Sequence, residues 1–169
     1  KRVVFTSTAG TISPNNAAQP SHEATPRWVD FFTDYDRSKA QAEELAVQYS
    51  NGGLEIVTVN PSRVYGPGLL SDSNGVTRMI DMYLRGKFRL LPGDGQSIGN
   101  YVYIDDVVNG HVLAMQRGRA GERYILGGQN ASFIEFFEIL RNVSGVSHRL
   151  FKVPIWVMHI AATFMEQRA

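Results

Sequence analysis

Cysteine is missing from all 169 residues. That removes disulfides, thiolate nucleophiles and zinc–thiolate sites, and is compatible with an intracellular, cytoplasmic enzyme. A long apolar run is missing too. The most apolar stretch, Val153 to Met165, is interrupted by Pro154 and His159. It falls short of the roughly 20 residues that span a bilayer, so it reads as a packed or interfacial helix and no membrane partner is expected. Charge of one sign is scarce: 17 basic residues face 16 acidic ones, the net charge is +1, and the charges are scattered. Nothing here suggests a nucleic-acid surface. The four histidines, at 22, 111, 148 and 159, have no ligand spacing, and no metal site is expected. Lys1-Arg2 leads at once into the short run Val3 to Phe5, without the pattern of a signal peptide.

What is present alternates between strand and helix. Val3 to Thr6 is β-branched and aromatic, a buried strand. Gly10 to Thr33 is rich in Pro, Asn, Ser and Gly and reads as a long loop, of the kind that usually carries function. A helix follows from about Asp34 to Tyr49, ended by Asn51-Gly52-Gly53, and Leu54 to Val59 is the next buried strand. A helix between two apolar strands predicts a right-handed βαβ crossover and a parallel sheet. Asn60 to Gly68 reads as turn-rich, and Gly75 to Arg85 as a helix. Phe88 to Leu91 is a short strand, followed by a turn over Pro92 to Gly95. Tyr101 to Ile104 is a strand leading to a helix capped by Asp105 or Asp106 and reaching about Gln116. Arg123 to Leu126 is a strand, Ser132 caps a helix to about Val143, and Val153 begins the last helix. The fold class is therefore α/β.

The residues that carry chemistry are Tyr35 and Lys39. Four apart on a helix, they stand on one face, one turn from each other. Ligand sites in open α/β sheets lie at the carboxyl ends of strands, where the Thr6-Ser7-Thr8 run sits. A hydroxyl there, a phenol and an ammonium form a set able to move a proton to or from a substrate oxygen. Thr8 is the preferred hydroxyl and Ser7 the alternative. Asp105 and Asp106 are explained by their place at a helix start rather than by paired-carboxylate catalysis. Gly93-Asp94-Gly95-Gln96 reads as a tight turn rather than a phosphate cradle. Trp28 and Trp156 either pack hydrophobically or line a substrate mouth.

The segments VVFTSTAGT, YDRSKAQAE, VNPSRVYGPG and YVYIDDVVNGH, in this order, resemble the extended short-chain dehydrogenase/reductase superfamily. The nearest group holds dihydroflavonol reductases, 3β-hydroxysteroid dehydrogenases and sugar epimerases of the NAD-dependent epimerase/dehydratase type. The resemblance implies that Tyr35 is the catalytic acid/base, that Lys39 tunes it and holds the nicotinamide ribose, and that Thr8 orients the substrate carbonyl. It places Thr6, Ser7, Tyr35, Lys39, Pro61, Ser62, Arg63 and Val64 beside the cofactor, NADP or NAD. Arg63 is equally readable as a solvated arginine. Ser7, Thr8, Gly10, Tyr35, Asn60 and Tyr101 fall on the substrate side.

The family's glycine-rich G-x-x-G-x-x-G turn occurs nowhere in the chain. We therefore expect residues 1–66 to be the second half of a dinucleotide-binding Rossmann domain, without its amino-terminal half. Residues 67–169 are expected to be mainly a substrate-binding lobe, with 98–117 returning to the sheet. In sugar-nucleotide relatives an arginine precedes the aromatic strand and clamps the pyrophosphate; here Gly99-Asn100 stand before Tyr101.

The expected activity is an NAD(P)-dependent oxidoreductase acting on a small-molecule ketone or secondary alcohol. Its rivals are a nucleotide-sugar epimerase/dehydratase and a non-catalytic cofactor- or partner-binding scaffold. The resemblance adds a homodimer as an expectation, through the helix of Tyr35.

Overall fold

The computed structural model describes residues 1–15, 19–68 and 74–157. The chain divides into two compact units, Lys1–Pro67 with Asn100–Gln129, and Gly68–Gly99 with Asn130–Ala169.

The first unit is built on a parallel sheet. Strand β1 (Arg2–Thr6), helix α1 (Asp34–Asn51) and strand β2 (Glu55–Pro61) form the crossover that the alternation predicts. β1 pairs in parallel with β2 from Arg2↔Glu55 to Thr6↔Val59. On its other side β2 pairs in parallel with β6 (Arg123–Leu126), giving the order β1-β2-β6. β2 is buried from Ile56 to Pro61, as befits a central parallel strand covered on both faces.

Helix α1 starts where its chemistry says it must. The Thr33 side chain accepts the Asp36 N–H, and Asp34 and Asp36 lie in the positive first turn. Helix α3 (Ile104–Arg117) packs near the same sheet because its glycines allow close approach. A Cβ on Gly110 would press on Leu126, and one at the Gly118 cap would press on Val57. The core beneath is Val57, Val59 and Ala114, with Val4, Tyr124 and Leu126 around it.

The second unit holds helix α2 (Gly75–Leu84), strand β4 (Leu90–Pro92), helix α4 (Phe133–Ser144) and strand β8 (Phe151–Val153). β4 and β8 pair in parallel. Its core is Tyr83, Leu91 and Phe137, the Tyr83 and Phe137 rings tilted at 5.0 Å. α4 begins with a capping box. Ser132 accepts the Glu135 N–H, and the Glu135 carboxylate accepts the Ser132 N–H at 2.7 Å and its hydroxyl at 2.9 Å. These two bonds, the backbone one foremost, hold the Glu135 carboxyl below its ordinary range.

Three sequence expectations need correction, and one strand, β7, was not expected. Asn60 to Gly68 is not simply turn: β2 runs on to Pro61, and Arg63–Tyr65 forms strand β3, parallel to β5 (Ile98–Tyr103). Prolines at 61 and 67 argued for a turn, but a parallel partner satisfies Arg63 to Tyr65 between them. The cap of α3 is Tyr103, without a side-chain bond, so Asp105 and Asp106 lie inside the first turn. Residues 129–132 form β7, a short strand before α4. Val153 ends β8 rather than opening a helix; residues 155–157 are helical, and the rest of that expected helix lies outside the described residues. No helix among the described residues is long and apolar enough to cross a membrane.

Candidate active site

The carboxyl ends of β1 and β2 and the start of α1 gather most of the polar side chains singled out above. At the end of β1 the chain turns through a short 3₁₀ segment, Ala9–Thr11. Thr8 caps it: its hydroxyl oxygen accepts the Gly10 N–H at 3.2 Å and keeps its own hydrogen to give. Ser7 is buried (4 % exposed) and its N–H donates to Val59 O at 2.8 Å. Its hydroxyl is enclosed without a hydrogen-bond partner among the described residues. Of the two candidate hydroxyls, Thr8 is the less enclosed.

Tyr35 stands in the first turns of α1, 57 % exposed. Lys39, one turn on, donates from Nζ to Thr6 O at 2.9 Å and lies 5.9 Å from the Tyr35 ring centre. The ammonium thus ties the helix to the strand end that carries Thr8. It has three N–H groups, so spending one on Thr6 leaves two for a ligand.

Thr6 turns to the other side. Its Oγ1 is 2.9 Å from His111 Nε2, while His111 Nδ1 is 2.8 Å from Val107 O. A carbonyl only accepts, so Nδ1 carries the proton and, in the neutral ring, Nε2 accepts the Thr6 hydroxyl.

Gly10 has no room for a side chain: a Cβ would collide with the Asp36 carboxylate. Its carbonyl accepts from Arg27 Nη1 at 2.9 Å.

Asn60, near the end of β2, is completely buried. Its Nδ2 lies 3.0 Å from Thr8 O, 3.1 Å from Thr11 Oγ1 and 2.7 Å from Glu43 Oε1. Expected to face a substrate, it is committed inside the protein instead. Pro61 is buried and lacks an N–H, and the Ser62 N–H is taken by Leu126 O at 3.1 Å. The Ser62 hydroxyl donates to Asn100 Oδ1 at 2.6 Å. Asn100 also accepts the Gly128 N–H at 2.8 Å and donates to Gly128 O at 3.0 Å. Arg63 is exposed, with Nη1 3.4 Å from the hydroxyl of Tyr101, which is 5 % exposed. Val64 is half-buried in β3. Glu43 and Asn100 were not singled out as site residues. Glu43 was detectable in principle, since it continues the Tyr35–Lys39 face by one more turn.

Residues 1–127 match the NAD dependent epimerase/dehydratase family, and the chain belongs to that family. Among curated proteins it is 32% identical over 162 residues to one from Synechocystis sp. provisionally named a dihydroflavonol 4-reductase, covering 93% of this chain and 46% of that one. It is 27% identical to a 4-hydroxy-2-methyl-3-oxo-4-farnesyl-3,4-dihydroquinoline-1-oxide ketoreductase of Stigmatella aurantiaca, covering 96% and 48%. Among solved structures it resembles DesIV, the dTDP-glucose 4,6-dehydratase of Streptomyces venezuelae with NAD and TYD bound. The TM-score is 0.76 with 28% identity, covering 90% of this chain and 47% of that one. The UDP-glucose 4-epimerase of Thermus thermophilus in complex with NAD shares the fold at TM-score 0.77 and 24% identity, covering 91% and 51%. The sheet is therefore part of a Rossmann-type fold. The chain spans about half the length of the curated relatives it matches.

Proposed function

We propose that these residues form the proton-transfer side of an NAD(P)-dependent oxidoreductase that interconverts a ketone and a secondary alcohol. The observation carrying this reading is the Lys39–Thr6 bond. It sets an ammonium at the carboxyl end of β1, one helical turn from an exposed phenol and two residues from a hydroxyl with a hydrogen to give.

The donor set suits a nicotinamide nucleotide, because Lys39 keeps N–H groups for ribose hydroxyls. Bound there, the nicotinamide supplies or accepts the hydride at the carbon bearing the substrate oxygen. The protein's own groups handle the proton. Thr8 donates to the substrate oxygen and fixes its direction. Tyr35 gives that oxygen its proton on reduction and takes it back on oxidation, with the Lys39 ammonium 5.9 Å from its ring centre.

Two features favour an uncharged substrate over a sugar nucleotide. The position before Tyr101 is Asn100, whose amide is spent on Ser62 and Gly128 and offers no bidentate phosphate clamp. The loop leading to Tyr35 presents Trp28 (64 % exposed) and Phe32 (73 % exposed), apolar surface for an apolar ligand. The rival reading, a sugar-nucleotide epimerase or dehydratase, is favoured by the likeness to DesIV and predicts turnover without net reduced cofactor.

Tyr35→Phe in the complete protein tests the proposal. Turnover is expected to fall about 100-fold to 10,000-fold, the range for losing a general acid, while cofactor affinity by fluorescence titration is unchanged. Undiminished turnover overturns the reading.

A further inference from the structure

We propose that Glu43 and Asn60 are positioning residues that aim the Thr8 hydroxyl, a role that rests on the oxidoreductase reading above. The buried Asn60 amide reaches three elements at once: its own strand β2, the turn after β1 and helix α1. It has two N–H hydrogens. The shortest contact, 2.7 Å, goes to the Glu43 carboxylate, and the Thr8 carbonyl is next at 3.0 Å. Thr11 completes the cluster. Its hydroxyl is 2.9 Å from both Thr8 O and Glu43 Oε1, and its N–H donates to Thr8 O at 3.2 Å. The other Glu43 oxygen faces Arg123 Nη1 at 3.4 Å.

The orientation of the amide is dictated by charge. Asn60 Oδ1 is buried without a partner among the described residues, an expensive state for an acceptor. Flipping the amide would set that oxygen against the Glu43 carboxylate and withdraw the donor from Thr8 O. The carboxylate therefore keeps the amide turned so that it holds the Thr8 carbonyl. With its carbonyl held on one side and its Oγ1 accepting the Gly10 N–H, Thr8 is fixed in backbone and rotamer while its hydroxyl keeps a hydrogen to give. Glu43 also lies on α1 beyond Tyr35 and Lys39. The same carboxylate thus links the element bearing the phenol to the turn bearing the hydroxyl.

The test uses the complete protein. Asn60→Asp sets two carboxylates together and is expected to lower both stability and turnover. Pairing it with Glu43→Gln restores an amide–carboxylate contact between β2 and α1, but leaves the Thr8 carbonyl facing an oxygen. The paired variant is expected to regain its melting temperature while kcat stays down about 100-fold, the order of loss from a misplacement near 1 Å, with cofactor affinity unmoved. Recovery of kcat together with stability overturns the proposal, because the cluster is then only structural.

A cycle with Thr8→Val provides the second readout. Once that hydroxyl is gone, the paired change is expected to cost no further turnover; an independent, multiplying loss overturns the assignment. Should the paired variant not fold, Glu43→Gln alone is read in the same cycle. Tyr35→Phe measured alongside separates the two levels. Normal turnover in that variant removes the oxidoreductase reading and this proposal with it, whereas a silent paired change beside a dead Tyr35→Phe removes the positioning role alone.

Discussion

Gly10 shows how little space the turn after β1 has. Its backbone needs no left-handed conformation; what it needs is the absent Cβ, because the Asp36 carboxylate occupies that volume. Asp36 is in turn held by Thr33, whose hydroxyl donates to it at 2.7 Å and accepts its N–H at 3.1 Å. Gly10→Ala must therefore push on the first turn of α1, where Tyr35 stands. A cost of about 1–3 kcal/mol, the range for forcing atoms into packed space, is expected in urea melts, together with a fall in kcat. A wild-type melt for this variant removes the argument. At this scale the sequence revealed residue types but not their commitments. Tyr35 and Lys39 were legible because four-residue spacing on a helix is a local rule. Asn60 was legible as a site position and misread as substrate-facing, because its partners Thr8, Thr11 and Glu43 are distant in the chain and meet only through the sheet.

Helices were the most legible elements, since caps and periodicity are written locally. The capping box of α4 is an example, and it carries a pH signature. The Glu135 carboxyl sits below its ordinary range because Ser132 donates to its charged form. A carboxyl so held binds its proton less readily in the folded than in the unfolded chain. Its contribution is complete above the ordinary carboxylate pKa and is lost as pH falls through the lowered value. The stability gap between wild type and Glu135→Gln is therefore expected to hold from neutral pH down to the ordinary carboxylate range and to narrow as pH falls below it. Urea melts across that range measure it, and a gap that is constant or widens in acid contradicts the assignment. Ser132→Ala is expected to cost about 1 kcal/mol at neutral pH. Three of the short strands were the illegible elements, although β6, with four residues, was read at its bounds. β3, β7 and β8 have three or four residues each, too few for alternation to show. β3 also lies between two prolines, and only its partner β5 makes it a strand.

On the scale of the whole molecule, the parallel pairing of β1 with β2 was legible in the alternation of strand and helix, and the order β1-β2-β6 leaves β1 at the end of the described sheet. An edge strand presents unpaired N–H and C=O groups, and Val3 within it is 42 % exposed. The 169 residues expressed alone are expected to associate as concentration rises, and Val3→Lys to reduce this. Sedimentation measures both, and a monomer at every concentration refutes the expectation. The ties of α1 to the strand ends have a wider consequence. Because Lys39 and Glu43 fasten the helix directly to the strand ends, the alignment of Tyr35 with Thr8 does not depend on the loop before α1 alone.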